Sequence, residues 1–439
     1  MKNFPQVGIQ IPTTYLPVKN IDLTKWAVIA CDQFTSQPEY WEAVAEYVGN
    51  SPSTLHLILP EVYLGSPQEA ERIAAINRKM WQYLSDGFLT PQNSMIYVER
   101  TVDGKTRHGL MLALDLEQYD FHNGSQSLIR ATEGTILDRL PPRVRIRKDA
   151  PLELPHILVL IDDPKDRVIG GIRQSKDTMP VLYDFDLMQN SGHLAGRSVD
   201  NEALEKEVIH NLELLARPDV FYPKYNVNRD KGVLLFAVGD GNHSLAAAKS
   251  IWEELKPHVG MDHPARYALV EIENIHDTGL QFEPIHRVLF GVNTDLKQAL
   301  YDQFGQSLQF KAVPSKEDLV EEVKNGSSGT HTFGLIRKDE LLVGKLIDPI
   351  ATLAVGSLQP LLDRLIKSGQ AASIDYVHGD ETVFALGGQV GNAGILLPAM
   401  AKDDLFRTVI LEGALPRKTF SMGEAHEKRF YMEARKIVP

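Results

Sequence analysis

The stretch VLLFAVGDGNHSLAAA, residues 233–248, decides the fold class and opens the functional reading. An apolar run from Val233 to Val238 stops at Gly239-Asp240-Gly241, and an alanine-rich helical pattern begins at once. A buried strand thus feeds a helix through a two-glycine turn. Such a turn leaves backbone N–H groups at the positive end of a helix, a cradle for an anion, and its glycines let a ligand approach the backbone closely. Asp240, Asn242, His243 and Ser244 add an acid, an amide, an imidazole and a hydroxyl around the same loop. The plainer reading is that Asp240 or Asn242 caps the helix and His243 bonds locally. As a dinucleotide fingerprint the stretch is incomplete, because Ser244 stands where the third glycine belongs and Asp240 would repel a pyrophosphate.

Working outward, the segments 157–161 and 267–272 read as further short strands, with helices at about 201–216 and 242–255. MIYVERT and RHGLMLALDL flank Asp103-Gly104, the strongest hairpin signal in the chain. Pro38 opens a helix running to about Gly49, and apolar positions from Ala70 to Leu84 recur at helical spacing. WAVIAC and Leu55–Leu59 read as strands. Beyond Gly291 the pattern predicts helices starting near Asp295 and Ser315, an exposed turn at 326–329, and a hairpin of 331–337 with 341–347. The class is mixed α/β, α+β in its arrangement, with mixed sheets and flanking helices. We expect a main domain over 1–291 and a smaller α+β unit over 292–439, ending in an amphipathic helix from Gly423 to Val438.

Composition narrows the function. Of 439 residues, 46 are Lys or Arg and 58 are Asp or Glu, a formal net charge of -12 that opposes binding to duplex nucleic acid. The single Cys31 excludes an intramolecular disulfide and a four-thiolate zinc site, and it reads as a small buried residue in a reducing compartment. No apolar run reaches the length of a membrane-spanning helix, and the start MKNFPQVGIQIP lacks the apolar core of a signal peptide. A cytoplasmic protein acting on a small molecule is the expectation, with no nucleic-acid or membrane partner and a homo-oligomer left open.

One basic run stands against the acidic background: Arg139 to Lys148, R-L-P-P-R-V-R-I-R-K. On a strand, the period of two would put Arg143, Arg145 and Arg147 on one face, either to meet an anion or as a charged sheet edge. Glu133 and Asp138 just upstream could ligate a metal or pair with these arginines. Asp162-Asp163 and Asp166 read as an acidic turn. Walker A, H-E-x-x-H, EF-hand and G-x-S-x-G motifs are absent.

The loop Gly239-Asp240-Gly241-Asn242-His243 resembles the D-G-H-H-R signature of domain-of-unknown-function family 1015. Other fragments agree in order: Ile58 to Pro60, Thr132-Glu133-Gly134 with Asp138-Arg139, Pro284-Ile285-His286-Arg287, Tyr376-Val377-His378, and Pro416-Arg417-Lys418-Thr419-Phe420. Asn242 replaces the first signature histidine and Ser244 the arginine, marking a divergent branch. The signature loop in turn resembles the phosphate-binding corner of the ParB and sulfiredoxin superfamily, which includes kinases of free serine. That resemblance implies a ParB/sulfiredoxin-like core and a phosphotransferase using ATP or ADP with Mg²⁺ on a small hydroxylated metabolite such as serine. In this scheme Gly239, Gly241, Asn242 and Ser244 hold phosphate, while Arg139, Arg143, His286, Arg287 and Lys418 bind it and offset its charge. Asp240 or Glu133 is the base, His243 orients or shuttles a proton, and Asp138 ligates the metal. The alternatives are a non-catalytic anion- or metabolite-binding or interaction protein and, against the net charge, a ParB-like nuclease.

Overall fold

Asp103 and Gly104 both adopt positive φ, 49° and 75°, and join the strands Met95–Val102 and Lys105–Asp115 in the expected hairpin. This hairpin is the middle of an 11-stranded mixed sheet in the computed structural model, which describes residues 1–135, 140–326 and 329–439. Asp138, Arg139, Ser327 and Ser328 of the sequence reading lie outside the described residues. The chain forms two units, 1–280 with 423–439, and 281–422. The second unit therefore begins earlier than Val292, and the last 17 residues belong to the first.

In the first unit the strand order is Val181–Asp186, His193–Val199, Met95–Val102, Lys105–Asp115, Tyr267–Asn274, Leu158–Ile161, Phe236–Asp240, Ile129–Ala131 and Tyr119–Asp120. Leu158–Ile161 runs parallel to Tyr267–Asn274 and antiparallel to Phe236–Asp240, which is itself parallel to Ile129–Ala131. Each sheet face is buried. On one, Val159, Val238 and Val270 meet Leu212 and Trp252 of the helices Glu202–Ala216 and Asn242–Val259. On the other, Met111 and Leu269 belong to a core with Trp41 and Met80 of the helices Pro38–Val48 and Glu69–Ser85. The second unit carries a 7-stranded antiparallel sheet with helices that include Leu296–Phe304 and Lys316–Lys324, capped by Asp295 and Ser315.

Several expectations are corrected. The 55–59 segment is not a strand but a 3-10 turn over Thr54–Leu57, because the Ser53 hydroxyl accepts from the Leu55 N–H and caps the turn. Of WAVIAC, Trp26 ends a helical turn, Leu23–Trp26, and only Val28–Ile29 is a strand. The arginine run is a helix, Leu140–Lys148. Pro141 and Pro142 in its first turn fit the fixed φ that starts a helix. A period of 3.6 then brings Arg143 and Arg147 together and turns Arg145 away, so their side chains are 17%, 17% and 55% exposed.

The terminal segment is no amphipathic helix. Phe430–Tyr431 pairs with Val28–Ile29, and Arg435–Lys436 with Leu152–Glu153. Three of its charged residues, Arg429, Glu433 and Arg435, are buried. Arg429 lies 3.0 Å from Glu271 and 2.7 Å from Glu433, and Arg435 2.5 Å from Glu153. Replacing Arg429 with alanine would leave two interior carboxylates without their cation, a loss of about 3–5 kcal/mol. Urea unfolding of Arg429→Ala measures it; a change below about 1 kcal/mol would show that this segment is not anchored by charge.

Candidate active site at the Gly239–Ser244 turn

The strand Phe236–Asp240 is irregular at its last step. Leu160 pairs with Ala237 and Val159 with Val238, but Leu158 pairs with Asp240, so Gly239 is passed over. Directly opposed residues share a sheet face, so this bulge moves Asp240 off the face of Val238 and onto that of Leu158. Leu158 in turn pairs with Glu271. Asp240 is thereby turned towards the terminal segment. Gly241 follows at φ 78°, where a Cβ would press on Ile157 at 3.0 Å, so the dihedral and the space both favour glycine. The helix Asn242–Val259 starts from Gly241 as its N-cap, a residue with no side chain to make the capping bond.

Asp240 is clamped at both oxygens. Oδ1 accepts from the Gly241 N–H at 2.8 Å, and Oδ2 accepts from Nζ of Lys428 at 3.2 Å. Burial pushes the carboxyl up, but Lys428, His156 and the Gly241 N–H outweigh it and hold Asp240 below its ordinary value. It is a carboxylate at neutral pH.

Asn242 ties the turn to the neighbouring strand end. Its Oδ1 accepts from the Thr132 N–H at 3.3 Å, and its Nδ2 donates to the Val238 carbonyl at 3.3 Å. Glu133, one residue on, therefore sits beside the loop and is half-buried. His243 lies half-buried on the first helical turn.

Ser244 ends a chain of hydrogen bonds. The Cys31 N–H donates to the Tyr431 hydroxyl at 3.1 Å, Tyr431 lies 2.8 Å from His156 Nδ1, and His156 Nε2 lies 3.0 Å from Ser244 Oγ. Burial pushes the Tyr431 hydroxyl well up, so it keeps its proton. The hydroxyl accepts from Cys31, and His156 joins Tyr431 to Ser244 through its two ring nitrogens.

Ser244, His156 and Tyr431 line a cavity of ≈ 120 Å³ together with Arg143 and Arg147. The structure so brings two of the arginines to the loop's own helix. Each described arginine of the run already faces a carboxylate: Arg143 Glu61, Arg145 Glu69 and Arg147 Glu153.

The remaining residues named from the sequence lie in the second unit. His286 is buried; its Nδ1 accepts from the Leu397 N–H at 3.1 Å and its Nε2 faces Asp380 at 3.1 Å. Arg287 is fully buried, donating to Gln359 Oε1 and to the carbonyls of Ile285 and Arg417, with its guanidinium 5.2 Å from the centre of the Tyr376 ring. Lys418 is exposed on a turn at φ 55°. Sequence reasoning missed His156, Lys428 and Tyr431. Lys428 is 188 residues from Asp240, beyond any local spacing rule.

Residues 15–365 match the model of a family described as "Protein of unknown function (DUF1015)". A search of the curated proteins finds no match. Among solved structures, similar chains include a free serine kinase variant in complex with ADP, with 9% identity and a TM-score of 0.39 over 75% of this chain and 92% of that one. A conserved hypothetical protein from Pyrococcus furiosus has 11% identity and a TM-score of 0.36 over 75% and 95%. SbnI with C-terminal truncation from Staphylococcus aureus has 11% identity and a TM-score of 0.33 over 71% and 83%.

The depressed pKa of Asp240 has a definite sign. Its contribution to stability is present above the ordinary carboxylate value of 3.8 and is lost as pH falls through the lower folded value. Asp240→Asn should therefore flatten the acid limb of stability against pH below about 5. An unchanged acid limb in chemical denaturation would show that the Lys428 clamp adds nothing.

Proposed function

The chain belongs to the DUF1015 family, and from that premise we propose that its first unit is a nucleotide-dependent phosphotransferase acting on a small hydroxylated metabolite, of which free serine is the simplest example. One observation carries the reading: an ionised Asp240, backed by Lys428, stands directly before an 18-residue helix whose N-cap is Gly241.

Phosphoryl transfer asks the protein for position and charge more than for covalent chemistry. The helix N-terminus favours phosphate oxygens through its dipole and its backbone N–H groups, at Gly241 to Ser244. Asp240 accepts the proton of the acceptor hydroxyl as that oxygen bonds to the terminal phosphorus and the bond to the leaving phosphate breaks. Lys428 offsets the negative charge of Asp240 and of the incoming phosphates. The Asp240 oxygens each accept one donor and keep lone pairs for a cation. Mg²⁺ brought by the nucleotide would take that carboxylate, draw its other ligands from phosphate and water, and neutralise phosphate charge. Among the described residues no cluster of three metal-ligating side chains occurs, which suits a metal held largely by its nucleotide.

A non-catalytic metabolite-binding role is the second reading. It is favoured by the pairing of Arg143, Arg145 and Arg147 with carboxylates, which offsets the positive charge of the run. No helix among the described residues is long and apolar enough to cross a membrane.

ATP or ADP with Mg²⁺ at about 100 times its Kd should stabilise the protein by about 2.7 kcal/mol in a thermal-shift assay. Asp240→Asn should reduce the Mg²⁺-dependent part of that shift and lower turnover of the acceptor about 10²–10⁴-fold. Nucleotide stabilisation without turnover of any hydroxylated acceptor would select the binding role. No stabilisation by any nucleotide would remove the phosphotransferase.

A further inference from the structure

The cavity beside Ser244 has a largely aliphatic wall, with Leu57, Leu59, Met80, Ile146, Leu154 and Ala247 among its residues. Among the described residues, each polar side chain of its lining already has a partner. Arg143 is paired with Glu61, and Glu153 with Arg147 and Arg435. Ser244, His156 and Tyr431 bond in series, and the Cys31 thiol bonds to the Tyr431 hydroxyl. Burial pushes that thiol up, as expected of surroundings that disfavour charge. A charged ligand would leave water for a wall whose own charges are matched, at a cost that no contact here offsets. An aliphatic chain meets no such cost and gains with each carbon buried.

Size and position complete the argument. An apolar cavity of about 150 Å³ takes a benzene ring, so ≈ 120 Å³ suits a chain of about four to five carbons. Ser244 belongs to the same turn as Asp240, and His156, which lines the cavity, acts on the Asp240 carboxylate. The cavity thus adjoins the proposed base. We infer that it binds an uncharged aliphatic chain of about four to five carbons, packed against Leu57, Met80 and Ile146. The inference rests on the phosphotransferase reading only in making that chain part of the acceptor, which narrows the hydroxylated metabolite to an aliphatic alcohol.

NMR titration of the full chain without nucleotide reads binding apart from turnover. From 1-propanol through 1-butanol to 1-pentanol, each carbon should tighten Kd about three- to fourfold, and 1-octanol should fall back. Pentanoate and pentylammonium, similar in length but charged, should each bind at least about tenfold more weakly than 1-pentanol. Ala247→Leu should abolish 1-pentanol binding by filling the space. Should that variant not fold, Ile146→Ala should move the optimum to a longer chain. Affinity independent of chain length, or either charged chain binding as tightly as the alcohol, would overturn the inference. Binding of 1-pentanol without phosphoryl transfer to any alcohol would sink the phosphotransferase and leave the cavity's ligand class standing. Phosphoryl transfer to serine with no saturable binding of 1-pentanol would do the reverse.

Discussion

Arg429, 4% exposed at its side chain, is held between Glu271 of the central sheet and Glu433 of its own segment. Everything the terminal residues contribute hangs on this interior contact. Charges removed from water are costly unless they are matched, so a segment whose arginines find carboxylates inside is fixed in one register, while a shifted register would strand them. With Arg429 in place, Lys428 on one side reaches Asp240 and Tyr431 on the other reaches His156. The same sheet face carries a carboxyl at its limit: burial pushes Glu273 up to about 8, against the pull of Arg107. Gly109, opposite Glu273 in the ladder, has no side chain because a Cβ there would lie 2.0 Å from the Glu271 carboxylate.

The glycine turn and the ion network meet at a single irregularity, the omission of Gly239 from the ladder. A regular strand would aim Asp240 into the aliphatic face with Val238, where a carboxylate would be unpaired. The bulge exchanges that face for the one on which Lys428 lies. A one-residue slip of register is usually a fault in a sheet; here it joins an acid to a helix terminus.

What was legible in the sequence follows the range of the interactions involved. The 95–115 hairpin and the helices from Pro38, Asn201, Asn242, Asp295 and Ser315 are specified by neighbours a few residues apart, through turn chemistry, caps and apolar period. The loop Gly239–Ser244 was visible for the same reason. Arg143, Arg145 and Arg147 fit either a period of two or part of a period of 3.6, and Pro141-Pro142 was the local signal that decides for the helix. The terminal segment failed differently. Its alternating charges look like a solvated helix face until Glu153 and Glu271, both far away in the chain, are seen to lie against them. Lys428, His156 and Tyr431 share that cause, and no spacing rule could have assembled them.

The connectivity of the first unit also sets a clock. The chain leaves that unit at residue 280 and re-enters it at 423, so Asp240 and Lys428 emerge from the ribosome 188 residues apart. At about 5–20 residues per second, that separation is roughly ten to forty seconds of synthesis. Until then Glu271, a buried-to-be carboxylate of the sheet, stands without Arg429. A nascent chain stopped before residue 423 thus presents an interior carboxylate, Glu271, whose Arg429 is still to come.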